Sequence, residues 1–508
     1  MAERDRGKIP RAVIAGVAAL TLLRLAIAAV LPLGDDETFY WEWSRHLAPG
    51  YLDQPPAIAW LIHASTAVFG NTAFAVHFVA VALFGITSLA LWVLAREVSG
   101  RGDAATVAVA LLNVIPVFAA GGLLAVPDGP LGLAWVLTLL WTWRAARGAG
   151  LPAAGHPEIN TGVRPWLYAG VWLGLALDSK YTAAALPLSA ALWLAASPYR
   201  RWLRRPEPYA GLAIAALLFA PVVWWNATHQ WASFSFTLRG RPGWSAGPNA
   251  PVFLGLQFIY LAPLLFPWLV WALVVSWRRG FGADASAPGW LFLAAAGIPV
   301  IAGVTAASLV GAAKGHWAAP GYMTATIALA ALVTERPWSA RPPVWRFGVG
   351  AGVASAVLVT VLTHALPVIS GVLLPPRLDP TVDYYGWRSA APTIAAVARR
   401  DAHGPFFIAS DRYQVLAQFD FGTGGRYLAA SVTGNDEYRY WTRLGDLRGR
   451  DGLFIQDGRY RRDVDLRQGC GAVERGPTVP VVRRGVVVRT LDLVWCRDFL
   501  GRPIPSRP

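Results

Sequence analysis

The chain has 508 residues, of which 55% are hydrophobic and only 15% charged, where soluble domains carry about a quarter charged residues. With a mean hydropathy of +0.41 and 25 Trp, one soluble core is excluded and a polytopic α-helical membrane protein is indicated. The net charge of +15 does not point to nucleic acid, because the Lys and Arg residues form short clusters between apolar runs, where membrane-protein loops carry them.

Apolar runs fall near 12–33, 72–95, 104–119, 124–143, 166–177, 181–196, 209–225, 252–276, 289–310, 317–334 and 344–366. Most match the ~20 residues that a spanning helix needs, so about eleven transmembrane helices are expected. The first run is too long for the apolar stretch of a signal peptide, and further spans follow it. The fifth and sixth are short and meet at "LDSKYT", which holds Asp178 and Lys180. Arg4, Arg6, Lys8 and Arg11 precede the first run. Alternate loops then carry Arg96 and Arg101; Arg144, Arg147 and Arg164; Arg200, Arg201, Arg204 and Arg205; Arg278 and Arg279; and Arg336, Arg341 and Arg346. This alternation predicts a cytoplasmic N-terminus and an outer C-terminus. Were 166–196 a single helix, the alternation would invert after it, so two short helices are expected there.

On this topology the loops facing outward hold nearly all the noteworthy polar residues. The first, "GDDETFYWEWSRHLAPGYLDQPP", places Asp35, Asp36 and Glu37 where the first span ends. Acids favour the first turn of a helix, yet three of them at a membrane boundary also read as functional. The aromatics Phe39, Tyr40, Trp41 and Trp43 suit an amphipathic helix lying at the interface, and Pro55-Pro56 starts a new segment. Asp128 lies in the turn "VPDGP", where it either caps the next helix or serves the site. Lys180, between short helices, either snorkels or pairs along an anion path. "KGHW" puts Lys314 and His316 before a helix start, good ground for a phosphate. His46, His63 and His77 lack metal-ligand spacing, and HExxH and CxxC motifs are absent from the sequence.

From about residue 375 the composition changes. "WRSAAPTIAAVARRD" and "DRYQVLAQFDF" read as helices, "GPFFIAS" and "DGLFIQD" as strands, and "VPVVRRGVVVRTLDLVWC" as a hairpin. A transmembrane domain over 1–370 and a small α/β domain over 371–508, outside the membrane, are expected. Cys470 and Cys496 are the chain's only cysteines; a disulfide and two buried thiols both fit.

The stretches "DDETFYWEWSRHLAPGYLDQPP", "PDGPLGLAW", "GLALDSKYTA", "PVVWWNATHQWASFSF" and "KGHWAAPGY" resemble the bacterial branch of the dolichyl-phosphate-mannose protein mannosyltransferases, glycosyltransferase family 39, to which the lipid A aminoarabinose transferases are related. The resemblance covers roughly residues 10–335 and is unspecific for substrate. It implies the GT-C fold in a bacterial inner membrane. It also implies an inverting transfer of sugar from a polyprenyl-phosphate donor to a glycolipid (lipid A included), polysaccharide or protein acceptor on the periplasmic face. By this likeness the catalytic candidates are Asp36, which resembles the family's proposed base, its partner Glu37, and Asp35, because the register of the two adjacent Asp residues is open. The candidates for donor phosphate or substrate are Lys180, Lys314, His316, Asp128, Asp53, Tyr51, Arg239 and Arg241. Where family members often have D-H-P-P, this chain has Asp53-Gln54-Pro55-Pro56, which removes one donor and leaves the role of Asp53 open. No cofactor is expected, and the transfer is expected to need no metal. A transporter or lipid flippase is the rival class; transporters often show internal repeats with paired broken helices, which this sequence lacks.

Overall fold

The computed structural model describes residues 8–148, 162–239, 248–311, 313–373, 379, 381–433, 436–458, 463–483 and 485–507. Arg4, Arg6 and Arg241 lie outside them. The chain opens with α1 (Arg11–Ala28), then two helices at the end of that span, α2 (Asp35–Arg45) and α3 (Ala57–Phe69). The long α4 (Ala73–Ser99) returns and is closed by Gly100, whose φ of +73° suits a residue without a Cβ. Next come α5 (Gly102–Val114) and α6 (Pro116–Gly121), one apolar run broken at Pro116, which starts a fresh helix instead of continuing the old one. Helix α7 (Asp128–Gly148) begins only after Pro127, later than its apolar run. The short α8 (Arg164–Leu177) and α9 (Ala185–Ala196) are separate, with Lys180 in extended conformation between them. They are followed by α10 (Pro206–Thr228) and α11 (Ala232–Arg239). The run near 252–276 is split into α12 (Ala250–Tyr260) and α13 (Phe266–Gly280) by a loop in which Ala262 has a φ of +69°. Helices α14 (Ala287–Val310), α15 (Ala319–Thr334) and α16 (Pro343–Leu373) complete the membrane part.

Among the described residues, six helical segments are each long and apolar enough to cross a membrane: Arg11–Ala28, Ala73–Ser99, Pro206–Thr228, Ala287–Val310, Gly315–Thr334 and Pro343–Leu366. The other expected spans are α7, a less apolar helix of 21 residues, and shorter or broken helices, in the expected order. The arginine-bearing ends are tied to one another. Arg144 grips Glu97 at 2.6 Å, Trp202 Nε1 donates to the Ala146 carbonyl at 3.1 Å, Arg101 donates to the Thr334 carbonyl, and Arg279 pairs with Glu335. These loops therefore share one face, and the polar loops gather on the other.

The remaining residues form an α/β unit. Its helices are α17 (Trp387–Asp401), α18 (Tyr413–Thr423) and α19 (Tyr438–Trp441). Its strands are β1 (Phe406–Ser410), β2 (Ala429–Ser431), β3 (Asp451–Asp457), β4 (Asp463–Val464), β5 (Cys470–Arg483), β6 (Val486–Phe499) and β7 (Ser506–Arg507). The main sheet runs β2-β1-β3-β6-β5; β1 is parallel to β2 and β3, and the other pairs are antiparallel. The two thiols form a disulfide, Cys470–Cys496, which joins the paired strands β5 and β6.

The first outer loop corrects an expectation. Helix α2 does not lie at the interface with one face wet, because Glu37 through Ser44 are all buried. Its aromatics join one hydrophobic cluster with Ile58 and Ile62 of α3, Leu416 and Phe419 of α18, and Leu453 of β3. The polar side chains buried with them are paired, Glu37 with His77, Glu42 with Arg45 and Ser44 with the Trp41 carbonyl; the membrane part supplies one wall around the helix and the α/β unit the other.

Candidate active site

The three acids of α2 occupy three environments. Asp35, Asp36 and Glu37 form its first turn and Arg45 its last, each placed favourably for the helix dipole. Glu37 points inward. Its carboxylate accepts from the backbone N–H of Gly34 at 2.9 Å and of Ala125 at 2.8 Å, and its Oε1 lies 3.1 Å from His77 Nε2. A buried carboxylate so occupied is a tether, joining the acid turn to the loop before α7 and to α4. Asp35 is part-buried and accepts from Gln418 Nε2 at 3.0 Å. Burial above all, then the nearby Asp383, pushes its carboxyl up to about 7. Asp36 alone is exposed; the hydroxyl of Tyr413 donates to its Oδ1 at 3.4 Å.

A second cluster assembles from three other loops. Lys180 Nζ lies 2.8 Å from both carboxylate oxygens of Asp128. His316 Nε2 stands 4.0 Å from Asp128 Oδ2. Lys314, exposed at the start of the turn that leads into α15, acts on the same carboxylate. Lys180 is buried, and a buried ammonium needs such a partner. The loops are held in place by the backbone: the N–H of Ala57 donates to the Asp178 carbonyl at 2.9 Å, and Asn249 exchanges two hydrogen bonds with Ala313. Burial pushes the Asp178 carboxyl up to about 7.

The buried Tyr40 hydroxyl connects the two clusters. Burial raises its pKa well above the ordinary value, and Asp36, Asp53 and Asp128 each add to the shift. Three carboxylates from two outer loops thus act on one point. The arrangement sets an open carboxylate within the field of a group of cations, which serves proton removal on one side and anion binding on the other.

The remaining candidates divide. Asp53 is half-buried within that field. Tyr51 is buried and its hydroxyl is spent on the loop: it donates to the carbonyls of Trp43 and His46 and accepts from the N–H of Ala48, while its ring stacks on Trp43 at 4.2 Å. It holds the loop's shape. Arg239 ends α11, and Arg241 lies outside the described residues. The sequence left open whether the α/β unit caps the site or selects the acceptor, and named none of its residues as part of the site. Tyr413 reaches Asp36, Gln418 reaches Asp35 and the Leu33 carbonyl, and Arg45 of α2 pairs with Asp420 at 3.1 Å. Glu437 accepts from the N–H of Leu52 at 2.6 Å. The ring of Tyr384 packs so close to Gly34 that a Cβ there would lie 3.1 Å from it. The only hint in the sequence was the polar start of the predicted helix "DRYQVLAQFDF"; which membrane loop it would meet is a matter of tertiary packing.

The fold has solved counterparts. The apo form of ArnT from Cupriavidus metallidurans is similar over 95% of this chain and 97% of that one, with a TM-score of 0.62 and 13% identity. The form of that protein bound to undecaprenyl phosphate gives a TM-score of 0.63. The oligosaccharyltransferase AglB from Archaeoglobus fulgidus is similar over 82% of this chain and 64% of that one, with a TM-score of 0.51 and 12% identity. In sequence, the lipid A galacturonosyltransferase of Rhizobium johnstonii is 26% identical over 84% of this chain and 86% of its own length. An undecaprenyl phosphate-α-4-amino-4-deoxy-L-arabinose arabinosyl transferase of Pseudomonas aeruginosa is 29% identical over 48% of this chain and 43% of its own length. The chain has the GT-C fold of these membrane enzymes, and the relatives in sequence are glycosyltransferases, one of them named for an undecaprenyl-phosphate-linked sugar. Residues 53–225 match the family model described as dolichyl-phosphate-mannose-protein mannosyltransferase.

Proposed function

We propose that this chain moves a sugar from an undecaprenyl-phosphate-type carrier to the saccharide of a lipid A-like glycolipid, with inversion, on the periplasmic face. The observation that carries the reading is that the open Asp36 acts on His316 of the Lys180–Asp128–His316 group, to which Lys314 also belongs. Asp36 takes the proton of the acceptor hydroxyl as its oxygen attacks the anomeric carbon. The bond from that carbon to the phosphate oxygen breaks on the opposite side. The lipid phosphate leaves with an added negative charge, which Lys314, His316 and the ammonium of Lys180 stabilise; fixed cations in a site shielded from water do this best. Asp128 and Glu37 position and do not react. The similarity to a lipid A galacturonosyltransferase over most of both chains supports a glycolipid acceptor.

In this reading the arginine face is cytoplasmic, the α/β domain of residues 371–508 is periplasmic, and the transfer needs no metal, its phosphate side being built from cations. The test is release of labelled sugar from a lipid-linked donor by the purified protein in detergent, with EDTA and without any gradient. Transfer to a lipid A acceptor is the expected result; accumulation of unmodified donor in every condition overturns the reading. Glycolipid profiling of a deletion strain identifies the acceptor.

A further inference from the structure

The opposite, arginine-bearing end of the membrane part holds a cavity of about 170 Å³ between α7, α8, α9 and α10. Its walls are apolar, with Leu139, Leu173, Leu186 and Leu194 among them. It opens toward lipid: Leu212, a lining residue, is 42% exposed, and its neighbours Leu188 and Leu192 face outward as well. Helices α8 and α10 cannot close over it by sliding. They already touch backbone to backbone, since a Cβ on Gly170 would lie 2.1 Å from the Gly211 carbonyl oxygen.

Two polar atoms in this wall have no protein partner among the described residues. They are the indole Nε1–H of Trp166 and the hydroxyl of Ser189, both on buried side chains. Buried donors without partners are rare and call for a ligand or water. The mouth is basic. Leu203, Pro208 and Tyr209 line the cavity, and the turn that carries Leu203 also carries Arg200 and Arg204, both exposed. That turn is pinned by Trp202, whose Nε1 donates to the Ala146 carbonyl at 3.1 Å and whose ring meets Trp166 at 5.2 Å.

We propose that this is a binding site for one anionic glycerophospholipid of the leaflet on the arginine side. One acyl chain fills the cavity, an ester carbonyl accepts from Trp166 Nε1–H or Ser189 Oγ–H, and the phosphate meets Arg200 and Arg204. A zwitterionic lipid would fill the cavity equally well but gain less from the arginines. The site stands apart from the acid and lysine clusters, at the other ends of α7 and α8, and the inference rests on membrane insertion alone.

The test is native mass spectrometry of the detergent-purified chain, with phosphatidylglycerol and phosphatidylcholine added in equal amounts. The expected result is one retained phosphatidylglycerol per chain, in preference to phosphatidylcholine. Replacing an arginine costs about fivefold in that preference, as a basic side chain near an anionic headgroup contributes ~1 kcal/mol. Arg200→Gln with Arg204→Gln, on the surface, should therefore erase most of the preference while the protein stays folded. Ala190→Phe, which fills the cavity, should remove the retained lipid. Equal retention of both lipids by the wild type, or undiminished phosphatidylglycerol in both variants, overturns the proposal. So does displacement of retained undecaprenyl phosphate, rather than phospholipid, by Ala190→Phe.

Discussion

Replacing Asp36 by Asn tests the reading of the acid turn most directly. The change keeps volume and polarity and removes only the basic oxygen. Asp36 is exposed and its hydrogen bond comes from Tyr413 at 3.4 Å, a contact that an Asn carbonyl also accepts. Folding should therefore be unaffected. A positioned general base contributes typically ~10²–10⁴-fold, or about 3–5 kcal/mol of barrier at 1.36 kcal/mol per tenfold. Turnover should fall by that factor with donor binding unchanged. The neighbouring Asp35→Asn gives the contrast. Its carboxyl, pushed from 3.8 to about 7 by burial, binds its proton more tightly when folded than when unfolded. The stability it contributes is whole below about pH 4 and is lost as pH rises through about 7. Asn cannot ionise, so Asp35→Asn should melt at a higher temperature than the wild type at pH 8, and close to it at pH 4. The assay is single-turnover transfer from a labelled lipid-linked sugar, with donor binding and melting followed in parallel at both pH values. Normal turnover in Asp36→Asn with a dead Asp35→Asn would shift the base by one residue. Full activity in both would refute the acid turn as the source of the base and turn attention to Asp53 and Asp128.

Lys314→Ala removes an exposed cation, so it should leave the fold intact while weakening donor turnover by about 2–4 kcal/mol; unchanged donor kinetics would reject the phosphate assignment. Lys180→Ala strands Asp128, so its loss should include stability, and the double change with Asp128→Asn should recover the stability but not the activity. Reporter fusions after Arg205 and at the C-terminus should read opposite sides, cytoplasmic and periplasmic, and the same reading from both would break the topology. Cys470→Ser with Cys496→Ser opens a crosslink of sequence separation 26. It should destabilise the α/β unit by about 3 kcal/mol, seen as a lower melting temperature of the variant against the oxidised wild type; equal melting would show that the bond is idle.

Much of the molecule is written in local patterns. Apolar runs, proline breaks and the arginine alternation gave the order of the spans and the separation of polar from basic loops, because a bilayer penalises every misplaced charge and unpaired backbone group along a single axis. The helices and the hairpin of the α/β unit were legible for the same reason, their periods being short. The choice among Asp35, Asp36 and Glu37 was not legible. Three adjacent acids are equivalent until partners distinguish them, and those partners come from far along the chain: His77 and Ala125 for Glu37, Gln418 for Asp35, Tyr413 for Asp36. Nor could the sequence place α2, whose aromatics suit a membrane surface as well as a dry interface. Only packing against α18 decided that, by burying Phe39 and Trp43 between two units of the chain, because hydrophobicity prescribes that a surface be covered without naming what covers it.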